Sequence, residues 1–151
     1  MRTTRYIKHT NHGRQEVTVV QIYEAVMMKG RELENRARTV SQRGSIELAR
    51  GYLATAQTLF NDAQQIRPLV RIADAEFKIQ SYQQAISDIK LLIQCSPSTQ
   101  NIVLKSQIDS IYDRIQSLNS FLQKMQEGLT KQQVTKMQRL SQELWNRIKG
   151  L

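Results

Sequence analysis

Residues 104–129 read LKSQIDSIYDRIQSLNSFLQKMQEGL. Leu104, Ile108, Ile111, Ile115, Leu118, Leu122, Met125 and Leu129 alternate by four and three without a miss. Such spacing keeps apolar side chains on one face of an α-helix, and over more than three heptads it makes a continuous seam. Gly128 breaks that helix, and Thr130 with Gln133 three residues later forms a capping box, which satisfies N–H groups at a helix start. Val134, Met137, Leu140, Leu144, Ile148 and Leu151 then continue an apolar stripe. The reading is an antiparallel helical hairpin over residues 98–151, closing the two stripes on each other. A bent rod exposing both stripes for dimerisation is the competing geometry, and with it a homo-oligomer through the heptad stripe.

Working back from the seam, the chain stays helical in character. It has 151 residues, enough for a buried core, and only six Gly and two Pro, little material for the turns of a β-fold. At 6% aromatic content the core is expected to be aliphatic. Thr18 and Gln21 form a capping box that starts a first helix. Val19, Tyr23, Val26, Gly30, Leu33, Ala37 and Val40 give it one stripe, widened by Ile22 and Met27. Gly44 is a natural stop, and Ser45 can cap the next helix. That second helix is expected over 46–65, faced by Leu48, Leu53, Ala56, Phe60 and Ala63. Pro68 is placed to open a third helix, with Val70, Ala73 and Phe77 on its face. Ser81 and Gln84 form another capping box for a fourth, carrying Tyr82, Ala85, Ile89, Leu92 and Ile93 and ending before Pro97. The expected fold is all-α with about six helices, a single domain overall.

Two spaced signatures sit in the middle: Ala56, Phe60, Ala63, Pro68, and then Ala75, Phe77, Tyr82, Ala85, Ile89, Pro97. Over residues 52–97 they resemble the tetratricopeptide repeat, in degenerate form. In that family small residues sit where helices cross and a proline closes each unit. The prolines here are 29 residues apart, where the family repeats every ~34. The resemblance implies helix pairs over 17–97 and a peptide- or protein-binding role, and it carries over no individual binding residues.

Residues 1–16 lack a sustained apolar period, and Asn11, His12 and Gly13 signal a turn. They read as a flexible basic arm, or alternatively as a short hairpin through Tyr6–Ile7 and Val17–Val19. The arm has no apolar core of a secretory signal. Its basic, acid-poor composition leaves a transit peptide as a weaker alternative. No run approaches a membrane span, so the expectation is a soluble, cytoplasmic protein without membrane contact. The single Cys95 excludes an internal disulfide and a multi-cysteine zinc site.

Chemistry is sparse. His9 and His12 have no nearby Cys or carboxylate cluster, so no metal site is expected. Asp109 and Asp113, like Glu32 and Glu34, read as solvated faces rather than acid–base pairs. No nucleophile set or phosphate-cradling glycine loop occurs, and neither catalysis nor a cofactor is expected. The net charge is +9, with ten Lys/Arg against five Asp/Glu in residues 1–50, four against four in 51–100 and eight against four in 101–151. Lys29, Arg36, Arg43 and Arg50 recur every seven residues. With Arg31 and Arg38 they are candidate contacts for phosphate or an acidic partner, and Arg2, Arg5, Lys8 and Arg14 could extend the patch. The competing view is a solvated face laced by Glu32–Arg36 and Glu34–Arg38 pairs. Trp145 is a candidate interface anchor. The functional expectation is a non-enzymatic adaptor or subunit binding a partner protein. The alternative is a basic subunit of a ribonucleoprotein complex that contacts nucleic acid through its backbone.

Overall fold

A computed structural model of the chain describes residues 5–10, 13–95 and 98–151, with side chains placed over 17–95 and 101–151. Two strands, β1 (Arg5–Thr10) and β2 (Gly13–Thr18), precede four helices: α1 (Val19–Gln42), α2 (Ile46–Cys95), α3 (Ser98–Glu127) and α4 (Lys131–Lys149). The strands pair antiparallel, from Arg5 opposite Thr18 to Thr10 opposite Gly13. Tyr6, Ile7 and Val17 of the hairpin alternative fall within these strands, whereas Val19 begins α1. Asn11 and His12, central to the turn signal, lie outside the described residues, as do Ser96 and Pro97.

The chain divides into two compact units, one of Thr3–Ala73 with Thr130–Leu151, the other built on Asp74–Leu129. The division falls inside α2. In the first unit α1 begins as its sequence dictates. Thr18 N–H donates to Gln21 Oε1 at 2.9 Å, and Gln21 N–H donates to Thr18 Oγ1 at 3.2 Å. It also stops as dictated. Gly44 takes φ +87°, Ser45 N–H donates to the Val40 carbonyl at 2.9 Å, and Gly44 N–H donates to the Ser41 carbonyl at 3.0 Å. This pair of bonds closes the last turn on a left-handed glycine, a conformation other residues adopt only with strain.

The first unit buries Val19, Ile22, Val26, Leu33 and Ala37 of α1 with Ala56, Leu59, Ala63, Ile66, Leu69 and Ile72 of α2 and Leu144 of α4. α1 packs on α4. Gly30 lets α2 come close: a Cβ built on it would lie 2.7 Å from Phe60 Cζ and nearer still to Cε1. Ser141, fully buried, donates its hydroxyl to the Met137 carbonyl at 2.8 Å, so no polar group is stranded there. Arg147 of α4 reaches Asp62 of α2 at 2.7 Å.

Among the described residues the expected count of about six helices is corrected to four, because the three segments expected between Ile46 and Pro97 are one helix of 50 residues with Pro68 inside it. Proline removes one N–H bond and crowds the preceding carbonyl, a cost of about 3 kcal/mol in a helix interior. Continuous burial offsets it. Ala63, Ile66, Leu69, Ile72 and Ala75 are all buried, so a buried stripe carries past Pro68. The Ser81–Gln84 capping box does not form either. Gln84 instead donates forward to Asp88 at 3.0 Å, along the helix. The faces shift accordingly: Leu48, Leu53, Phe77 and Leu92, expected inside, are exposed. Residues 52–95 of the span 52–97 that carries the repeat resemblance lie in this one helix.

In the second unit Ile79 and Ile86 of α2 bury with Ile108 and Ile115 of α3. Tyr82, Ile89, Ile93, Ile111, Leu118 and Leu122 pack around them. The α3 seam is therefore a buried face, as its spacing predicts. Its partner differs from the expectation. The α3 stripe closes on α2 within its unit, and the α4 stripe is buried within the other, where α4 packs on α1. The physical reason is the length of α2, which offers an apolar face in each unit. Where α4 starts, the capping box holds: Thr130 N–H donates to Gln133 Oε1 at 2.8 Å and Gln133 N–H to Thr130 Oγ1 at 3.1 Å.

Candidate functional site

The basic residues singled out on α1 and beyond do not act as one stripe. Heptad spacing puts Lys29 and Arg36 on one flank of α1 and Arg31 and Arg38 on another. Arg43 lies past the end of α1, at its C-cap, and Arg50 lies on α2. Lys29 is bound to Glu32 at 3.0 Å and is only 18% exposed. The Lys29 hydrogen bond, then its charge, hold the Glu32 carboxyl below its ordinary 4.5, with Arg36 adding a smaller pull. Arg50 faces Glu47 at 3.7 Å. Over its whole length α1 carries four cations against three carboxylates, so its field is nearly balanced. The side chains of Arg2, Arg5, Lys8, His9, His12 and Arg14 lie outside the described residues.

Trp145 goes inside. It is 8% exposed, beside Leu144, with Lys149 Nζ 5.3 Å from its ring centre. An indole covered to this extent stabilises its own unit and leaves little surface to anchor a partner.

Sequence reasoning passed over a different cluster. α4 carries five Lys/Arg against the single Glu143. Lys131, Gln132, Thr135, Lys136 and Arg139 line a shallow groove on its exposed side. The face is set by the helix: Met137, Ser141, Leu144 and Trp145 turn inward, which sends 132, 135, 136 and 139 outward. Among the described residues no carboxylate lies within ion-pair distance of Lys131, Lys136 or Arg139. The available signal was the charge ratio directly after the Thr130 cap.

Charge is divided by unit more sharply than by position in the chain. Asp74–Leu129 holds five Lys/Arg against six Asp/Glu, and the rest of the chain seventeen against seven. The near-neutral unit also holds an uncharged stretch. Residues 91–104, LLIQCSPSTQNIVL, contain no Lys, Arg, Asp or Glu. There Leu91, Leu92, Ile102 and Val103 are 61%, 53%, 77% and 60% exposed, where α2 ends and α3 begins. Cys95 is exposed in the same stretch.

Among the described residues, no helix is long and apolar enough to cross a membrane, and no three His, Cys, Asp or Glu gather as a metal site would require. No protein-family model, curated protein or solved structure matches the chain.

Proposed function

We propose that this chain is a non-enzymatic helical adaptor or subunit of a larger assembly, which docks a partner protein at the end of the Asp74–Leu129 unit. The observation that carries this is the exposed apolar group Leu91, Leu92, Ile102 and Val103 within fourteen uncharged residues. Each such side chain, when covered, contributes roughly 1–2 kcal/mol, and with no charge to desolvate little opposes the gain. The occupant that fits is an uncharged apolar helix face of another protein. Binding of this kind depends weakly on salt.

The test compares native-source capture by the wild type and by a Leu92→Lys/Ile102→Lys variant, followed by direct binding with the purified captured protein. Both positions are exposed, so the variant keeps its fold, which circular dichroism checks. Direct, weakly salt-dependent binding that the variant loses supports the proposal. A variant that keeps every partner refutes it.

A second reading is a basic subunit of a nucleic-acid-binding ribonucleoprotein complex that contacts phosphates non-specifically. The division of charge favours it, since the Thr3–Ala73 and Thr130–Leu151 unit holds nearly all of the excess cations. A concentrated positive field attracts polyanions irrespective of their sequence.

A further inference from the structure

We infer that the outer face of α4 is a nucleic-acid backbone site, with Lys131, Lys136 and Arg139 on phosphates of one strand and Gln132 and Thr135 hydrogen-bonding between them. The inference rests on the ribonucleoprotein reading and gives it a location other than the α1 arginines. Three observations carry it. The groove is lined by two lysines, one arginine, a glutamine and a threonine, side chains of the types that dominate backbone contacts in protein–nucleic acid interfaces. Its three cations are exposed and unpaired among the described residues, as are Arg31, Arg36 and Arg38 of α1, but the α4 three share one groove, and Lys29 and Arg50 are engaged with Glu32 and Glu47. The other cations of α4 are also engaged: Arg147 holds Asp62, and Lys149 lies over the Trp145 ring.

The geometry suits a strand. From Lys131 to Arg139 the helix rises about 12 Å at 1.5 Å per residue. Phosphates of one strand advance about 3.4 Å each along a duplex axis, so three cations over that length span three to four nucleotides. The groove has no large apolar side chain. Such a side chain would strengthen insertion into a lipid surface or docking on a protein. Nucleic acid needs none for sequence-independent contact.

The experiment is fluorescence anisotropy of labelled single- and double-stranded RNA and DNA against the full chain, nuclease-treated, titrated in salt. Two variants run beside the wild type: Lys131→Gln/Lys136→Gln/Arg139→Gln on α4, and Arg31→Gln/Arg36→Gln/Arg38→Gln on α1. Polyglutamate and anionic vesicles serve as competing polyanions. The expected result is wild-type binding whose log–log salt slope falls by about two to three in the α4 variant, at 0.7–0.9 per lost phosphate contact, and stays unchanged in the α1 variant. A slope that falls only in the α1 variant overturns the α4 assignment and leaves the ribonucleoprotein reading standing. No wild-type binding at low salt overturns both. Equal or tighter binding of polyglutamate or vesicles overturns nucleic acid as the occupant. All substituted positions are exposed, and the Trp145 emission spectrum verifies that the unit holding α4 is intact.

Discussion

Replacing Gly30 with alanine tests the packing of α1 on α2 most directly. In a free helix the change is favourable by about 1 kcal/mol, because glycine loses more backbone entropy than alanine on ordering. Here the new methyl would sit 2.7 Å from Phe60 Cζ, closer than two carbons approach, so the ring has to leave. Phe60 is half-buried, and a phenylalanine buries 150–250 Å² in full, so displacing it uncovers about 80 Å² and costs about 2 kcal/mol at 25 cal/mol per Å². The net expectation for Gly30→Ala is a loss of about 1 kcal/mol. In a Phe60→Ala background the clash is gone, and the same substitution should stabilise by about 1 kcal/mol from propensity alone. The coupling between the two positions is then about 2 kcal/mol, within the range for residues in contact. Urea unfolding followed by Trp145 fluorescence reads it, because Trp145 is the chain's single tryptophan and lies in the same unit. A coupling below about 0.5 kcal/mol, the level of independent sites, would refute the close approach of α1 and α2.

Pro68→Ala restores the missing N–H inside α2 and should raise stability by about 1–3 kcal/mol with ellipticity at 222 nm unchanged. A marked gain in ellipticity would mean that the helix is interrupted at Pro68 in solution. Thr130→Ala removes the hydroxyl that accepts from Gln133 N–H in the α4 capping box and should cost about 1 kcal/mol in the same urea titration, whereas Thr130→Ser should cost much less. The Glu32 carboxyl is held below its ordinary value, so its contribution is fully present above pH 4.5 and is lost as the pH falls through its folded value. Glu32→Gln should therefore lose less stability than the wild type across that acid range, and the difference should shrink in high salt. Identical acid profiles for the two proteins would remove the Lys29–Glu32 pair from the account.

Much of the local structure is set by neighbours in the chain. The Thr18 and Thr130 caps, the Gly44 stop and the buried face of α3 depend on residues within a turn or two of each other, and local hydrogen bonding or a 3.5-residue repeat suffices to place them. Pro68 and the Ser81–Gln84 pair are just as local, and they mislead. A proline or a capping box states only what a segment would do alone. The unbroken burial from Ala63 to Ala75 outweighs the one bond that Pro68 deletes, and Gln84 finds Asp88 one turn on. Nor does the sequence choose partners between helices. The stripes of α3 and α4 each ask for an apolar face, and only the 50-residue run of α2 determines that α3 closes on Ile79 and Ile86. The candidate site divides in the same way. The cationic total is written in the composition, but which cations remain free is not. Glu32, Glu47 and Asp62 neutralise some of them through contacts one turn or 85 residues apart, and the orientation of α4 leaves Lys131, Lys136 and Arg139 facing outward. Local backbone chemistry is determined by sequence because its partners are adjacent in the chain. Helix pairing and free charge were decided by the tertiary structure, because burial and ion pairing depend on which surfaces meet.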